Sequence, residues 1–140
     1  MKALSLAQPW ATLVLLGAKR YETRSWQTPH RGPLAIHAAA TFPPAARVLC
    51  RLPPYRGVLE AAGLGDWRRL PRGVLLGTVQ LLAILPVELL PPLSPEEEAF
   101  GDYRPGRWAW ELAAPTLLAA PLPCRGRLNV FDVPDLNGAC

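Results

Sequence analysis

Proline occupies 17 of the 140 positions in this chain, and glycine occupies another 11. Because proline ends α-helices and lacks the N–H that a central strand donates, this abundance excludes a long helical bundle. Half of the residues are hydrophobic and 19% are charged, so the chain can bury enough apolar surface to fold. Its length fits one domain. The sequence therefore predicts short strands and short helices joined by many turns.

Apolar alternation and turn residues divide the chain into about six strands and a few short helices. The strands are predicted at residues 3–6, 20–26, 34–38, 73–87, 107–112 and 127–133. The first helix starts at Pro9 and ends at Gly17, and shorter helices are predicted at 43–51, at 58–64 and after Ser94. Strand-rich chains of this size avoid exposed edges by closing into a barrel. We therefore expect an α+β, mainly β fold: a small mixed β-barrel with short flanking helices over residues 1–133, followed by a short C-terminal tail at 134–140.

The charges are distributed unevenly along the chain. Residues 1–72 contain eleven basic and three acidic side chains, a net charge of +8, whereas residues 73–140 contain four basic and eight acidic ones, a net charge of −4. A basic N-terminal half indicates an electropositive face that suits a polyanionic partner. The alternative is that the fold interleaves the two halves and dilutes this asymmetry.

Cysteine usage and hydropathy exclude several protein classes. The three cysteines are Cys50, Cys124 and Cys140, and they form no C-x-x-C pair. This pattern favours reduced thiols in the cytoplasm over a disulfide framework or a structural zinc site, and no cofactor is indicated. The longest apolar run, residues 74–85, is shorter than the roughly 20 residues of a membrane helix. The acidic run at 96–98 is typical of the first turn of a helix capped by Ser94, and we do not interpret it as a metal site.

Polar side chains suited to binding or catalysis are concentrated between residues 8 and 37, a segment that includes both histidines of the chain. Lys19 follows the predicted helix stop, and Glu22 and Arg24 stand two residues apart, so on a strand these two share a face. The trio fits a satisfied ion-pair network. It fits equally well a cleft in which Glu22 orients cations that grip a phosphate or a base edge. The residues alone leave both interpretations open.

Three segments closely resemble one known family. They read QPW at 8–10, GAKRYETR at 17–24 and TPHRG at 28–32. Together they are similar to the ASCH domain, the activating-signal cointegrator homology domain, and the similarity extends over nearly the whole chain. The resemblance implies a fold like the PUA domain of RNA-modifying enzymes, a link to RNA handling, and a cleft lined by Lys19, Glu22 and Arg24.

The leading hypothesis is an RNA-binding domain with a basic cleft around the pattern Gly17-x-Lys19-x-x-Glu22-x-Arg24. The expected ligand is RNA, another single-stranded nucleic acid or a nucleotide-like molecule, and protein partners are left open. The residues expected to contact it are Gln8, Trp10, Lys19, Glu22, Arg24, Ser25, Trp26, His30 and Arg31. The two tryptophans would stack on bases. The alternative for both is a place in the core.

A second hypothesis is a small amidohydrolase that acts on a modified nucleoside. The resemblance includes a bacterial hydrolase of acetylated cytidine, which uses a lysine and a threonine three residues later. Lys19 matches that lysine, but Glu22 stands at the threonine position, so Lys19 and Glu22 would form the catalytic pair. Family members have also been proposed as ribonucleases, a reaction in which His30 or His37 would transfer protons. A third hypothesis is an interaction scaffold without a ligand.

Overall fold

The computed structural model describes residues 1–136, and it gives this part of the chain six strands, four short α-helices and two 3₁₀ turns. The strands are β1 (Lys2–Leu6), β2 (Tyr21–Arg24), β3 (Gly32–Ala38), β4 (Val74–Pro86), β5 (Trp108–Pro123) and β6 (Val130–Asp132). The helices are α1 (Trp10–Leu15), α2 (Pro44–Leu49), α3 (Tyr55–Ala61) and α4 (Pro95–Ala99), and the 3₁₀ turns are at Trp67–Arg69 and Val87–Leu89. Residues 137–140, with Cys140, lie outside the described residues, and the predicted domain boundary at residue 133 stays a prediction.

All six strands belong to one mixed sheet in the order β2-β5-β4-β3-β1-β6. β1 and β3 run parallel, and every other neighbouring pair is antiparallel. The register of β4 against β5 shifts at three places, and such bulges bend a sheet. The sheet therefore curls into a half-barrel, which confirms the predicted mainly β fold with about six strands.

The helices begin and end where their local residues require it. Gly17 follows α1 with a φ of +78°, the left-handed conformation in which glycine meets no steric penalty. Pro44 occupies the first turn of α2, where a missing N–H costs nothing. The Ser94 hydroxyl caps α4 by accepting a hydrogen bond from the Glu97 amide at 3.1 Å. Across residues 1–136, no helix has the length and apolarity needed to span a bilayer.

Two apolar clusters hold α1 and the small helices on the sheet. In the first, Val14 of α1 packs against Leu4, Ile36 and Trp110 of three different strands. The second lies under α2 and α3 and contains Leu13, Phe42, Ala46, Cys50, Tyr55, Leu59, Leu70 and Phe100. Because α1 contributes to both clusters, its position, and that of the chain leaving it, is fixed from two sides.

The sheet interleaves the basic and acidic halves of the chain. β4 and β5, which come from the acidic half, lie between β2 and β3, which come from the basic half. Positive charge along the sequence therefore does not translate into one positive face of the sheet. Any electropositive site has to be found from the placement of individual arginines.

β5 differs most from its prediction, because it continues to Pro123 instead of ending at residue 112. The sequence does not predict that the strand continues, because it contains Pro115 and Pro121 and proline is excluded from central strands. The structure tolerates them because β2 pairs only with residues 108–111, so the later part of β5 pairs with β4 alone. α3 also begins earlier than predicted, at Tyr55, and β6 is shorter than predicted.

Replacement of Gly77 by alanine tests the close contact between β4 and β5. A Cβ atom at this buried position would lie 2.2 Å from the carbonyl oxygen of Thr116, which is backbone and cannot turn aside. We expect Gly77→Ala to lower the free energy of unfolding by about 3 kcal/mol, a cost typical of overpacking. Gly57→Ala is the matched control, because a Cβ there meets nothing within 4 Å. It should gain about 0.5 kcal/mol in helix α3, and equal denaturation midpoints for the two variants would contradict the contact.

Candidate functional site

The end of α1 places Lys19 inside the protein. The amides of Ala18 and Lys19 both donate to the carbonyl oxygen of Leu13 at 3.1 Å, so the chain turns back over the last helical turn. This turn relies on the left-handed conformation of Gly17. The Lys19 residue is 2% exposed as a result, and β2 starts two positions later at Tyr21.

Lys19, Glu22 and Arg24 form a chain of charges along β2. The Lys19 ammonium donates to the carbonyl oxygen of Tyr21 at 2.6 Å and lies 3.7 Å from Oε1 of Glu22. The other carboxylate oxygen of Glu22 accepts a hydrogen bond from Nη2 of Arg24 at 2.9 Å. The same Nη2 donates to the carbonyl oxygen of Ser5 at 3.0 Å. The Glu22 carboxylate is therefore held between two cations.

Burial lowers the pKa of Lys19 below its usual value, because the protein replaces the water that would solvate an ammonium. The negative charges of Glu22 and Glu97 act in the opposite direction, whereas the positive charge of Arg24 adds to the lowering. Lys19 is therefore a buried cation whose charge depends on two glutamates.

Glu97 is the residue of this network that sequence analysis missed. It lies on α4, is buried, and accepts a hydrogen bond from the backbone amide of Arg20 at 2.7 Å. The pattern Ser94-x-x-Glu97 identifies the start of α4 but does not show which side of that helix is buried. Contact between residues 77 positions apart depends on the tertiary fold.

One face of this network opens into a cleft of about 280 Å³, which we call the aromatic cleft. Its lining residues are Leu6, Ala7, Trp10, Glu22, Thr23, Tyr55, Ala99, Phe100, Gly101, Asp102 and Arg107. Trp10 and Tyr55 meet edge to face at 6.4 Å, and Tyr55 meets Phe100 in the same way at 4.9 Å. The Trp10 indole N–H donates to the Tyr55 hydroxyl at 3.3 Å, which donates in turn to the carbonyl oxygen of Ala99 at 2.9 Å. The rings are therefore fixed in place before any ligand enters.

Arg24 faces a second cavity of about 530 Å³, which we call the arginine pocket. Its lining residues are Leu4, Ser5, Arg24, His37, Ala39, Ala40, Thr41, Cys124, Arg125, Gly126, Arg127, Leu128 and Asn129. The lining contains three arginines and no carboxylate. Since Glu22 lines the aromatic cleft and its partner Arg24 lines the arginine pocket, the two cavities adjoin at this ion pair.

The structure brings only some of the predicted site residues together. Trp10 and Glu22 line the aromatic cleft, and Arg24 lines the arginine pocket. Lys19 contacts Glu22 but belongs to the lining of neither cavity; it lies against a third one of about 260 Å³, beside Arg20. Gln8 is completely buried, and its amide group donates to the carbonyl oxygen of Pro71 and accepts from the Thr12 amide. Its contacts are those of a structural side chain.

Four further predicted residues lie on neither of the two cavities. Trp26 packs edge to face on Trp110 at 5.0 Å. His30 contacts the carbonyl oxygen of Pro33 at 2.7 Å, and Arg31 donates within the same surface turn. Ser25 is exposed at the end of β2. Within residues 1–136, no three His, Cys, Asp or Glu side chains are close enough to share a metal ion.

Comparison with known proteins identifies a family and relatives that this chain resembles. The family model of the ASCH domain matches residues 4–120. Activating signal cointegrator 1 from Homo sapiens is 40% identical over 100 residues, and the protein of that name from Mus musculus is 39% identical over the same length. Each alignment covers 69% of this chain but only 17% of the mammalian protein.

Solved structures of similar shape come from Zymomonas mobilis. The crystal structure of its ASCH protein shares 17% sequence identity, covers 86% of this chain and 71% of that chain, and gives a TM-score of 0.47. A single-residue mutant of the same protein covers 86% and 73% of the respective chains at a TM-score of 0.48, again with 17% identity.

Removal of the charge of Glu22 tests its role as the partner of Lys19. Glu22→Gln keeps the side-chain size but leaves a buried cation without its neighbour, so we expect a loss of about 3 kcal/mol in unfolding free energy at neutral pH. The pKa of Lys19 in the folded variant should fall further below the usual 10.5. Between that lowered pKa and 10.5, the unfolded chain binds more protons than the folded one. The stability of the variant, measured by urea unfolding, should therefore rise with pH in this window.

Glu60→Gln serves as the control for this comparison. Glu60 also pairs with a basic residue, Arg56, but both side chains are more than half exposed. Its replacement should change the stability by no more than about 0.5 kcal/mol. If Glu22→Gln changed the free energy of unfolding as little as Glu60→Gln does, and this free energy did not rise with pH, Glu22 would not be the residue that compensates the charge of Lys19.

Proposed function

This chain belongs to the ASCH domain family, and we propose that it binds single-stranded RNA. One unstacked nucleotide of the strand would occupy the aromatic cleft. The observation that carries the proposal is the Glu22 carboxylate, fixed by Lys19 and Arg24 in the lining of a cleft that also contains three aromatic residues. RNA-binding proteins recognise unstacked bases by aromatic contact together with hydrogen bonds to the base edge.

The charge chain along β2 explains the spacing of the motif in this role. Lys19 is too deeply buried to touch a ligand, but it lies on one side of the Glu22 carboxylate while Arg24 holds the other. A carboxylate oriented in this way accepts hydrogen bonds from an exocyclic amino group, such as N4 of cytosine. In this proposal Lys19 positions Glu22, and Glu22 contacts the base.

The arrangement favours binding over the amidohydrolase alternative. A lysine nucleophile or base has to reach the substrate with a free electron pair. The Lys19 side chain is 1% exposed, and its ammonium is engaged by the carbonyl oxygen of Tyr21. The lowered pKa of Lys19 is the one feature that favours catalysis.

The two histidines of the ribonuclease alternative lie apart. A metal-free cut needs two proton-transfer groups placed across one phosphate. His30 contacts Pro33 in a surface turn, whereas His37 lies on β3 and is bonded to Ser5 and Cys124. They do not line a common cavity among those described for this protein.

Trp10→Leu tests the aromatic cleft as the nucleotide site. The change keeps an apolar side chain but removes the ring, and loss of one base–aromatic contact costs about 1–3 kcal/mol. We therefore expect the Kd for a labelled single-stranded RNA to rise about tenfold or more, as measured by fluorescence anisotropy.

Trp67→Leu is the matched control, because Trp67 is also half-buried but lies away from the cleft, between Arg47 and Arg68. Its Kd should stay close to that of the unchanged protein. Equal losses in the two variants, or no binding by the unchanged protein, would count against the proposal. Each oligonucleotide is checked on a gel afterwards, since strand cleavage would favour the ribonuclease alternative.

A direct assay separates binding from hydrolysis. Because Lys19 is buried and engaged, we expect the protein to release no acetate from acetylated cytidine. Turnover that disappears in Lys19→Ala, with the variant still folded by circular dichroism, would instead favour the amidohydrolase.

A further inference from the structure

The segment after β5 completes a cavity that the sequence motif does not account for. We infer that the arginine pocket is a phosphate subsite, in which Arg24, Arg125 and Arg127 bind a phosphate group of the ligand. The inference rests on the proposed function, because it assigns the phosphate of a nucleotide whose base occupies the neighbouring aromatic cleft. Arg125 and Arg127 come from the half of the chain with net negative charge.

Within residues 1–136, only part of the positive charge of the pocket is compensated, because Arg24 pairs with Glu22 of the neighbouring cleft while Arg125 and Arg127 have no such partner. Its lining holds three guanidinium groups without a single Asp or Glu. Arg125 and Arg127 are exposed and take part in no ion pair within residues 1–136, whereas Arg107 in the lining of the aromatic cleft is paired with Asp102. Phosphate oxygens are the natural acceptors for such a group of planar, permanently charged donors.

Arg24 has donor capacity that the protein itself does not use. All of its hydrogen bonds within the described residues are made by Nη2, to Glu22 and to the carbonyl oxygen of Ser5. Its Nε is buried and has no hydrogen-bond partner. These contacts fix the guanidinium at the border of the two cavities, where one side of it faces Glu22 and the pocket lies on the other.

A buried histidine anchors the segment that carries the other two arginines. Nε2 of His37 lies 2.7 Å from the carbonyl oxygen of Cys124, and a carbonyl only accepts, so Nε2 carries the proton. In the neutral ring Nδ1 is then the acceptor for the Ser5 hydroxyl, at 2.9 Å. The network ties Cys124 to β1 and β3.

Gly126 allows this segment to lie directly on the histidine. A Cβ atom at this position would be 2.7 Å from Cε1 of His37 and 3.3 Å from the Ser5 hydroxyl oxygen. Only glycine permits such an approach without displacing the ring. Arg125 and Arg127, on either side of Gly126, are thereby held at the pocket instead of extending freely into solvent.

The test compares two double variants with the same change in net charge. Arg125→Ala with Arg127→Ala removes two guanidinium groups from the pocket, and Arg68→Ala with Arg69→Ala removes two exposed ones near Trp67. In anisotropy titrations over a salt series, we expect the first variant to bind single-stranded RNA about tenfold more weakly. The slope of log K against log salt should become shallower by about 0.7, the contribution of the one single-strand phosphate that the pocket would hold. The second variant should keep the affinity and slope of the unchanged protein, and equal losses in both would overturn the inference.

Two further arms identify the source of the phosphate. A 5′-phosphorylated and a 5′-hydroxyl strand of the same sequence distinguish a terminal phosphate from an internal phosphodiester, and either preference fits the pocket. Titration of the ¹⁵N-labelled protein with a nucleoside monophosphate, its nucleoside and inorganic phosphate reports on Gly126 directly. We expect its amide signal to move with both phosphates and not with the nucleoside.

The outcomes separate this inference from the proposed function. If strands bind and Trp10→Leu weakens binding, but the Arg125 and Arg127 double variant behaves as the unchanged protein, the subsite is wrong and the proposed function stands. If no oligonucleotide binds, the proposed function is wrong, and the inference is then decided by whether the Gly126 amide signal moves on addition of the nucleoside monophosphate and of inorganic phosphate. An amide that does not move with either phosphate overturns it.

Discussion

A buried ammonium group requires nearby negative charge, and most of the candidate site follows from how this protein meets that requirement for Lys19. The end of α1 carries the lysine inward, β2 supplies Glu22, and α4 supplies Glu97. Two consecutive elements and a third that is distant in the sequence are therefore tied to one charge. Breaking such an arrangement costs more than the net stability that it contributes, because the partner left behind stays buried. The charge of Lys19 thus fixes the local structure in which the aromatic cleft forms.

The same arrangement separates the buried Lys19 from the two side chains that line cavities, Glu22 and Arg24. Over the six residues from Lys19 to Arg24, the chain passes from an inaccessible cation to a carboxylate in a cleft, and then to a guanidinium in a second cavity. Alternation along a strand puts Glu22 and Arg24 on one face while Thr23 is buried on the other. A short motif therefore lines two adjoining cavities of different character, one with carboxylates and aromatic rings and the other with three arginines and no carboxylate.

Local patterns in the sequence predicted most of the strands and helices, but they did not predict which distant residues come together at the candidate site. β1, β3, β4 and α1 could be predicted because apolar alternation, Pro9 and Gly17 act on neighbouring residues. The places of Glu97 and Gly126 could not, since they depend on contacts with residues far away in the chain, Arg20 and His37 respectively. The charge imbalance between the two halves was equally uninformative, because the sheet places strands of both halves side by side. Alternation placed Glu22 and Arg24 on a strand, which is β2, but the sequence did not show that Lys19 is inaccessible.

The prolines of β5 have a consequence beyond the prediction that they obscured. Among residues 1–136, the later part of β5 has β4 on one side and no strand on the other, and it exposes Leu117. A long, apolar border of this kind would normally attract a strand from another molecule. An incoming strand would need the backbone N–H groups along this border, and Pro115 and Pro121 have none to donate. Ala114, with a φ of +50°, bends the backbone between the segment that pairs with β2 and these prolines. The residues that look least compatible with a sheet thus make this border a poor template for strand pairing with a second copy of the chain.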